Sequence, residues 1–389
     1  MKPGKSRNIL LLLFSLLLAL GISDWVLRTI YRSFEGYYIY QPGLHRLFYP
    51  DSSVFIGITG ESRFIVNEIG IRSDSIPKDV NTKKILAIGG STTECLYLDQ
   101  SETWPSLLQQ RLNKSNHFWV GNFSKPGLHS GHHVQQLKWM REQQELLNTK
   151  TIICLVGVND LLHFLGNESF YLDTTQEKLF KWVFDYYGDD KKPFYKRSGF
   201  WKAFSAIRKR MKYKNYIQDQ KGTIYAEWRK QRQQAKKLIT SLPDMEAAAA
   251  NYSYNITEMI KIARENNMRI LFLTQPVLWN KQNNQPFNHL FWLGKKGNLD
   301  DACCGEYYAT EILAQGMEYF NQILKTTCAR NNAECFDLAT QLPKDNSIFY
   351  DDCHFNENGA KRVADLVGNY LLGQNDSLPV IKVERAVGQ

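Results

Sequence analysis

Apolar positions are arranged along this chain in three distinct ways. One unbroken run, Ile9 to Ile22, sits near the amino terminus, and nothing later matches its purity. Further on, short apolar runs alternate with stretches of helical periodicity. Lys84 to Ile88 (KILAI) ends in Gly89-Gly90 and precedes a helical stretch over Trp104 to Leu112. Phe118 to Val120 begins a second run, followed by a helix from His133 to Leu147, and Thr151 to Val156 (TIICLV) is a third. A helix over Ala247 to Asn266 leads to Met268–Leu273 (MRILFL). Helical Tyr307 to Ala329 leads to a short run at Glu334 to Asp337, and Glu357 to Leu372 closes the series as a helix. Strands buried on both faces need continuous apolar runs of this kind. Their alternation with helices predicts an α/β fold, a central parallel sheet of about five strands covered on both faces.

Two segments break the alternation. Residues from Phe34 to Asn81 read as an irregular, aromatic-rich lead-in. Phe170 to about Pro243 is rich in Lys, Arg, Gln and Tyr and shows no strand between its helix-like stretches, so it reads as an insertion after the third strand. Charge sharpens that reading. The chain carries +9 overall, yet residues 191–240 alone hold sixteen Lys and Arg against Asp219 and Glu227. The basicity therefore belongs to one segment and describes no general property of the protein. A nucleic-acid partner is not expected, because no recognition motif accompanies the basic run.

At 389 residues, 43% hydrophobic and 22% charged, the chain can bury a large core, which excludes disordered, collagen-like and small disulfide-framed classes. A single apolar run excludes a polytopic membrane protein. Lys2, Lys5 and Arg7 precede that run, and its 14 residues span about 21 Å as a helix, short of a hydrocarbon core of roughly 30 Å. Trp25-Val26-Leu27 continues the apolar character, and Arg28 and Arg32 can snorkel, which favours an uncleaved anchor. Cleavage at Ala19-x-Gly21 or Gly21-x-Ser23 is the alternative. Either way the leading cations stay cytoplasmic and the rest is exported, periplasmic or extracellular. Of seven cysteines, an odd number, Cys154 reads as a buried thiol and Cys328 and Cys335 as a candidate bridge; Cys303-Cys304 and Cys353 are further candidates.

Sites in open α/β sheets form at the carboxyl ends of the strands. Those ends carry Gly89-Gly90-Ser91-Thr92-Thr93-Glu94, Asn122-Phe123-Ser124-Lys125-Pro126-Gly127, Gly157-Val158-Asn159-Asp160 and Asp351-Asp352-Cys353-His354. Each has a plain structural reading. Ser91 to Glu94 fits a capping box with Ser91 as N-cap, Gly127 a turn, Asp160 a cap, and Asp351 and His354 surface loop residues. His129, His132 and His133 have no established ligand spacing and read as a solvated loop, so no metal is expected. Together, however, the four loops supply a nucleophile, a base with an acid three residues before it, and donors for an oxyanion.

With these residues in this order, the chain resembles the SGNH hydrolases, also called the GDSL-type esterase/lipase superfamily, in an exported, membrane-anchored form with a Gly-Gly-Ser-Thr nucleophile loop. The resemblance covers roughly Asn67 to Leu372 and includes Asn67-Glu68-Ile69-Gly70-Ile71-Arg72 and Thr274-Gln275-Pro276. It implies a three-layer, flavodoxin-like fold and catalytic Ser91, His354 and Asp351. It also implies an oxyanion hole from Ser91, Gly127 and Asn159, with no metal or organic cofactor. Gly90 departs from the family, many of whose members have Asp before the serine. The implied organisation is a cytoplasmic tip and anchor or signal peptide at 1–32, a lead-in at 33–81, and a hydrolase domain at 82–375. The basic helical insertion at 170–243 interrupts that domain, and a tail follows at 376–389. The implied activity is hydrolysis of an ester or O-acyl bond in a glycan or lipid. O-acyl transfer to carbohydrate, or a non-catalytic envelope binding or assembly role on the same fold, stays open at this point. For the insertion two readings stand, a solvated helical hairpin or a lid facing the membrane or an anionic polymer.

Overall fold

The computed structural model describes residues 3–31, 35–114, 117–146, 148–189, 192–212, 221–282, 285–297 and 305–373. Cys303, Cys304, Tyr213, Tyr216 and the tail lie outside these residues. In chain order the strands are β1 (Gly36–Tyr38), β2 (His45–Phe48), β3 (Ser62–Ile65), β4 (Lys83–Gly89), β5 (Phe118–Ser124) and β6 (Thr149–Leu155). They continue with β7 (Asp185–Tyr187), β8 (Lys237–Ile239), β9 (Arg269–Leu273), β10 (Glu306–Tyr308) and β11 (Glu334–Phe336).

The central sheet has the order β11-β9-β6-β4-β5, with every neighbouring pair parallel. Its strands form where the apolar runs leave no polar side: Ile85 to Ile88, Ile152 to Leu155 and Leu271 to Leu273 are all buried. Counting sheet strands in chain order gives 2-1-3-4-5, which places a switch point between β4 and β6. Register makes that switch point useful. Gly89 lies opposite both Ser124 and Leu155, and Leu155 lies opposite Leu273, so the loops that follow leave the sheet at one level. Helices Trp104–Leu112 and Glu357–Leu372 pack together, and Ser130–Met140, Glu246–Glu265 and Thr310–Arg330 form a second packed group.

The structure corrects several expectations. The lead-in is not irregular: β2 pairs with β3, and β1 pairs with β7 inside the insertion. The insertion therefore does contain strands, and β8 pairs with β10, so Tyr307 belongs to a strand and its helix starts at Thr310. Strands β1, β7, β8 and β10 are three residues long, too short to show a period, and their partners are distant in sequence. The helix expected at His133 to Leu147 runs from Ser130 to Met140, because His129 caps it earlier. Cys328 and Cys335 are free thiols rather than a bridge. The amino-terminal helix extends over Pro3–Ile30, and its apolar span, Arg7–Ile30, has 24 residues. That is about 36 Å, enough to cross a bilayer.

Among the contacts that fasten the lead-in to the sheet, one buried side chain collects several acceptors. The Arg72 guanidinium donates to the carbonyl oxygens of Glu94, Cys95 (2.8 Å) and Leu98 (2.7 Å), and Asn122 N–H donates to the Arg72 carbonyl (3.2 Å). Removing the guanidinium strands several buried acceptors, each costing about 1–3 kcal/mol. Arg72→Met is expected to destabilise the fold by at least about 3 kcal/mol in chemical denaturation. A loss below about 1 kcal/mol would mean that the turn after β4 is held by other contacts.

Candidate active site

β4 ends at Gly89 and the chain turns at once into a one-turn helix, Ser91–Glu94. The N-cap of that turn is Gly90, not Ser91, and no side chain caps it. The capping-box expectation therefore fails, which leaves the Ser91 hydroxyl uncommitted to the backbone. It hydrogen-bonds instead to His354 Nε2 at 2.8 Å. Below it, Glu94 is buried. Its carboxylate accepts from the Tyr40 hydroxyl (2.5 Å), and burial pushes its carboxyl up to about 7.

His354 is oriented from its other nitrogen. Nδ1 lies 2.8 Å from each oxygen of Asp351, so the carboxylate accepts a hydrogen bond from Nδ1–H and Nε2 is left as an acceptor for the Ser91 hydroxyl. Asp351 has no exposed surface. Its remaining capacity is met by Trp292 Nε1 (2.8 Å) and the N–H groups of Cys353 (3.0 Å) and His354 (2.9 Å). Burial alone would lower the imidazole and raise the carboxyl. Their mutual attraction outweighs it, holding His354 well above its ordinary value and Asp351 below the usual carboxylate range. Trp292 and Tyr350 lie nearly parallel to the imidazole, at 5° and 10°. Asp352 faces away: it accepts from Trp279 Nε1 (2.7 Å) and Trp292 N–H (2.8 Å), and so shapes the segment that delivers Trp292.

The donors sit on the two neighbouring loops. Gly127 has φ +74, a conformation that favours glycine, and its carbonyl is held 2.9 Å from His163 Nε2. Among the described residues, neither Ser91 N–H nor Gly127 N–H has a hydrogen-bond partner, so both can meet an acceptor. Asn159 donates one amide hydrogen to the Leu128 carbonyl (2.8 Å), which leaves the second. A Cβ at Gly90 would overlap Asn159 Nδ2. Glycine at this position, the departure from the family pattern, is thus the space into which the Asn159 amide fits. Asp160 ties the two loops together by accepting from Ser130 N–H (3.1 Å) and Tyr171 (2.9 Å).

His129, His132 and His133 are buried rather than solvated, and burial pushes all three imidazoles down. Among the described residues, Asp351, Cys353 and His354 form the one group close enough to hold a metal ion. Both His354 nitrogens and the Asp351 carboxylate already have partners within the site.

Several residues of the site were not legible as such. Trp292 lies in an irregular segment without periodicity. Behind it, Trp228 stacks at 4.7 Å and Tyr225 meets its edge at 5.2 Å, both from helix Thr223–Gln233 of the basic insertion. On that helix Arg229 donates to the carbonyls of Leu290 (3.1 Å), Val54 (2.8 Å) and Tyr350 (3.0 Å), and Arg232 to those of Leu293 and Tyr308. This half of the insertion is the wall of the site, not a solvated hairpin. The only available signal was a pair of arginines three apart beside two aromatics.

The profile of the GDSL-like lipase/acylhydrolase family matches residues 87–362. Among solved structures, an acetylxylan esterase from Geobacillus stearothermophilus superposes with a TM-score of 0.37 at 12% identity, over 73% of this chain and 92% of that one. The native aryl esterase of M. smegmatis gives 0.41 at 9%, over 75% and 99%. A GDSL-family lipolytic protein from Veillonella parvula gives 0.38 at 10%, over 75% and 98%. No curated protein sequence matches.

The contact between Gly90 and Asn159 generates a test. Asn159→Ala is expected to lower kcat by roughly 10²–10³ if its amide meets the oxyanion. Gly90→Ala is expected to displace that amide and lower kcat by a similar factor without lowering Tm. The double variant should be no worse than Asn159→Ala alone. Additive losses would separate the two positions.

Proposed function

The chain belongs to the GDSL-like lipase/acylhydrolase family and is a carboxylic ester hydrolase, and we propose that it works through a Ser91 acyl-enzyme on the outer side of a membrane. The observation that carries this reading is the continuous chain from Ser91 Oγ through the His354 ring to Asp351, 2.8 Å at each link. His354 Nε2 accepts the hydroxyl proton as Oγ attacks the ester carbonyl carbon. Asp351 stabilises the imidazolium that results, in keeping with the raised basicity of His354. The oxyanion is met by the N–H groups of Ser91 and Gly127 and the second amide hydrogen of Asn159. As the tetrahedral species collapses, the bond to the alcohol oxygen breaks, and His354 returns the proton to the departing alcohol. Water, deprotonated by the same imidazole, then cleaves the acyl-enzyme and releases the acid.

Export and tethering rest on the apolar span Arg7–Ile30 and on the cations before and at its start, which favour a cytoplasmic amino terminus. The substrate is an O-acylated glycan or lipid of the envelope. A panel of acetylated glycans and short-chain and long-chain esters separates the two classes.

Turnover of p-nitrophenyl acetate tests the chemistry. Ser91→Ala is expected to lower kcat/KM by at least about 10⁴ with Tm unchanged, since the hydroxyl caps nothing. Retention of the wild-type rate would remove Ser91 from the chemistry and overturn the catalytic assignment. Asp351→Asn should cost far more than Asp352→Asn at matched stability; the reverse order would exchange their roles.

The pH profile follows from His354, which must be neutral to accept the proton. Because its pKa is raised, kcat/KM should climb through a midpoint above the ordinary histidine value of about 6.5. An acid limb centred below that value would contradict the coupling to Asp351.

A further inference from the structure

The helices Gly199–Lys212 and Thr223–Gln233, both in the basic part of the insertion, have opposite surroundings. Thr223–Gln233 turns its arginines inward, as described above. Gly199–Lys212 turns aromatic residues outward. Phe200, Trp201, Phe204 and Ile207 are exposed, Phe204 and Ile207 by 57% and 56%, and Phe194 and Tyr195 on the preceding turn are exposed as well. Phe200, Phe204 and Ile207 follow an i, i+4, i+7 spacing, the stripe that a surface helix ordinarily buries against its own protein. Here that stripe faces outward. Lys196 lies 5.8 and 5.9 Å from the Tyr195 and Trp201 rings, and Arg208 is exposed beside Ile207.

The position of this helix indicates what covers it. The Asp24 carboxylate of the amino-terminal helix accepts from Gly199 N–H (2.6 Å) and Phe200 N–H (3.4 Å), capping the insertion helix from outside. The approach is close enough that a Cβ on Gly199 would overlap the Asp24 carbonyl oxygen. Within the span only Asp24 and Leu27 are part-covered, whereas residues 7–23 are exposed along their whole length. The junction therefore lies at the carboxyl-terminal end of the span, level with exposed Trp25 and Ile30.

We propose that the Phe194–Arg208 surface is a second membrane contact, lying in the headgroup layer of the anionic leaflet from which the amino-terminal helix emerges. The proposal rests on the reading of that helix as an uncleaved span. Aromatics suit this depth because their rings settle at the boundary between headgroups and acyl chains. Cations flanking an apolar stripe add attraction to anionic lipid. The contact holds the catalytic domain close to the bilayer in a fixed orientation.

The test uses the full chain in vesicles, with the photo-cross-linking residue p-benzoylphenylalanine placed singly at Phe204, Ile207, Leu13 or Tyr254. Leu13 reports the span, and Tyr254, exposed on helix Glu246–Glu265, is the reference for exposed surface outside the stripe. In vesicles containing phosphatidylglycerol, lipid adducts at Phe204 and Ile207 are expected about tenfold above those at Tyr254. They should fall several-fold in pure phosphatidylcholine, and likewise with Lys196→Glu and Arg208→Glu, while Leu13 adducts stay constant. Adducts at Leu13 but not at Phe204 and Ile207, adducts to a second copy of the protein, or equal yields in both lipids would overturn the proposal and leave the span standing. Absence of lipid adducts at Leu13 would overturn the span reading and this proposal with it.

Discussion

A carboxylate with no exposed surface must be supplied with donors, and much of the site is arranged around supplying Asp351. Four reach it: the Trp292 indole, the His354 ring and the N–H groups of Cys353 and His354. The two backbone donors come from the tight Asp351–His354 turn itself, which is why a three-residue spacing orients the imidazole. The indole comes from a segment some sixty residues earlier in the chain, and that segment is shaped in turn by Asp352. Without these donors the buried charge would be lost to protonation, and with it the pull that keeps His354 basic.

The same constraint explains three buried arginines. Loops that carry a site are irregular, so their carbonyl oxygens have no ladder or helix to satisfy them. Arg72 serves the turn after the nucleophile, while Arg229 and Arg232 serve the loops around Trp292 and Tyr350. Each guanidinium collects acceptors from segments distant in sequence, in place of a carboxylate partner. The lead-in and half of the insertion are thereby integral to the site, and their aromatic content becomes intelligible: Phe55, Tyr97, Tyr225, Trp228 and Trp292 form one connected cluster behind His354.

Much of this architecture was legible in the sequence because burial on both faces imposes a continuous apolar run. The inner strands of the central sheet, β9, β6 and β4, appear as such runs, and the loops after β4, β5 and β6 contain Ser91, Gly127 and Asn159. What escaped reading has a common physical cause. Strands β1, β7, β8 and β10 are three residues long and pair across large separations, so no local period betrays them. Arg229 and Arg232 resembled a solvated charge run, because satisfaction by loop carbonyls leaves no mark in composition. The apolar stretch of the amino-terminal helix looked short because Ser23-Asp24 interrupts it. That aspartate instead caps a second helix.

Ser91 is the nucleophile of this assembly in the proposed reaction, and mapping a covalent adduct puts that role to the test. The full chain is treated with a fluorophosphonate, digested and sequenced by mass spectrometry. With Ser91 as the nucleophile, one stoichiometric adduct forms on Ser91, and its rate of formation collapses in His354→Ala while the fold persists. An adduct on another residue, or labelling of Ser91 at an undiminished rate without His354, would contradict it.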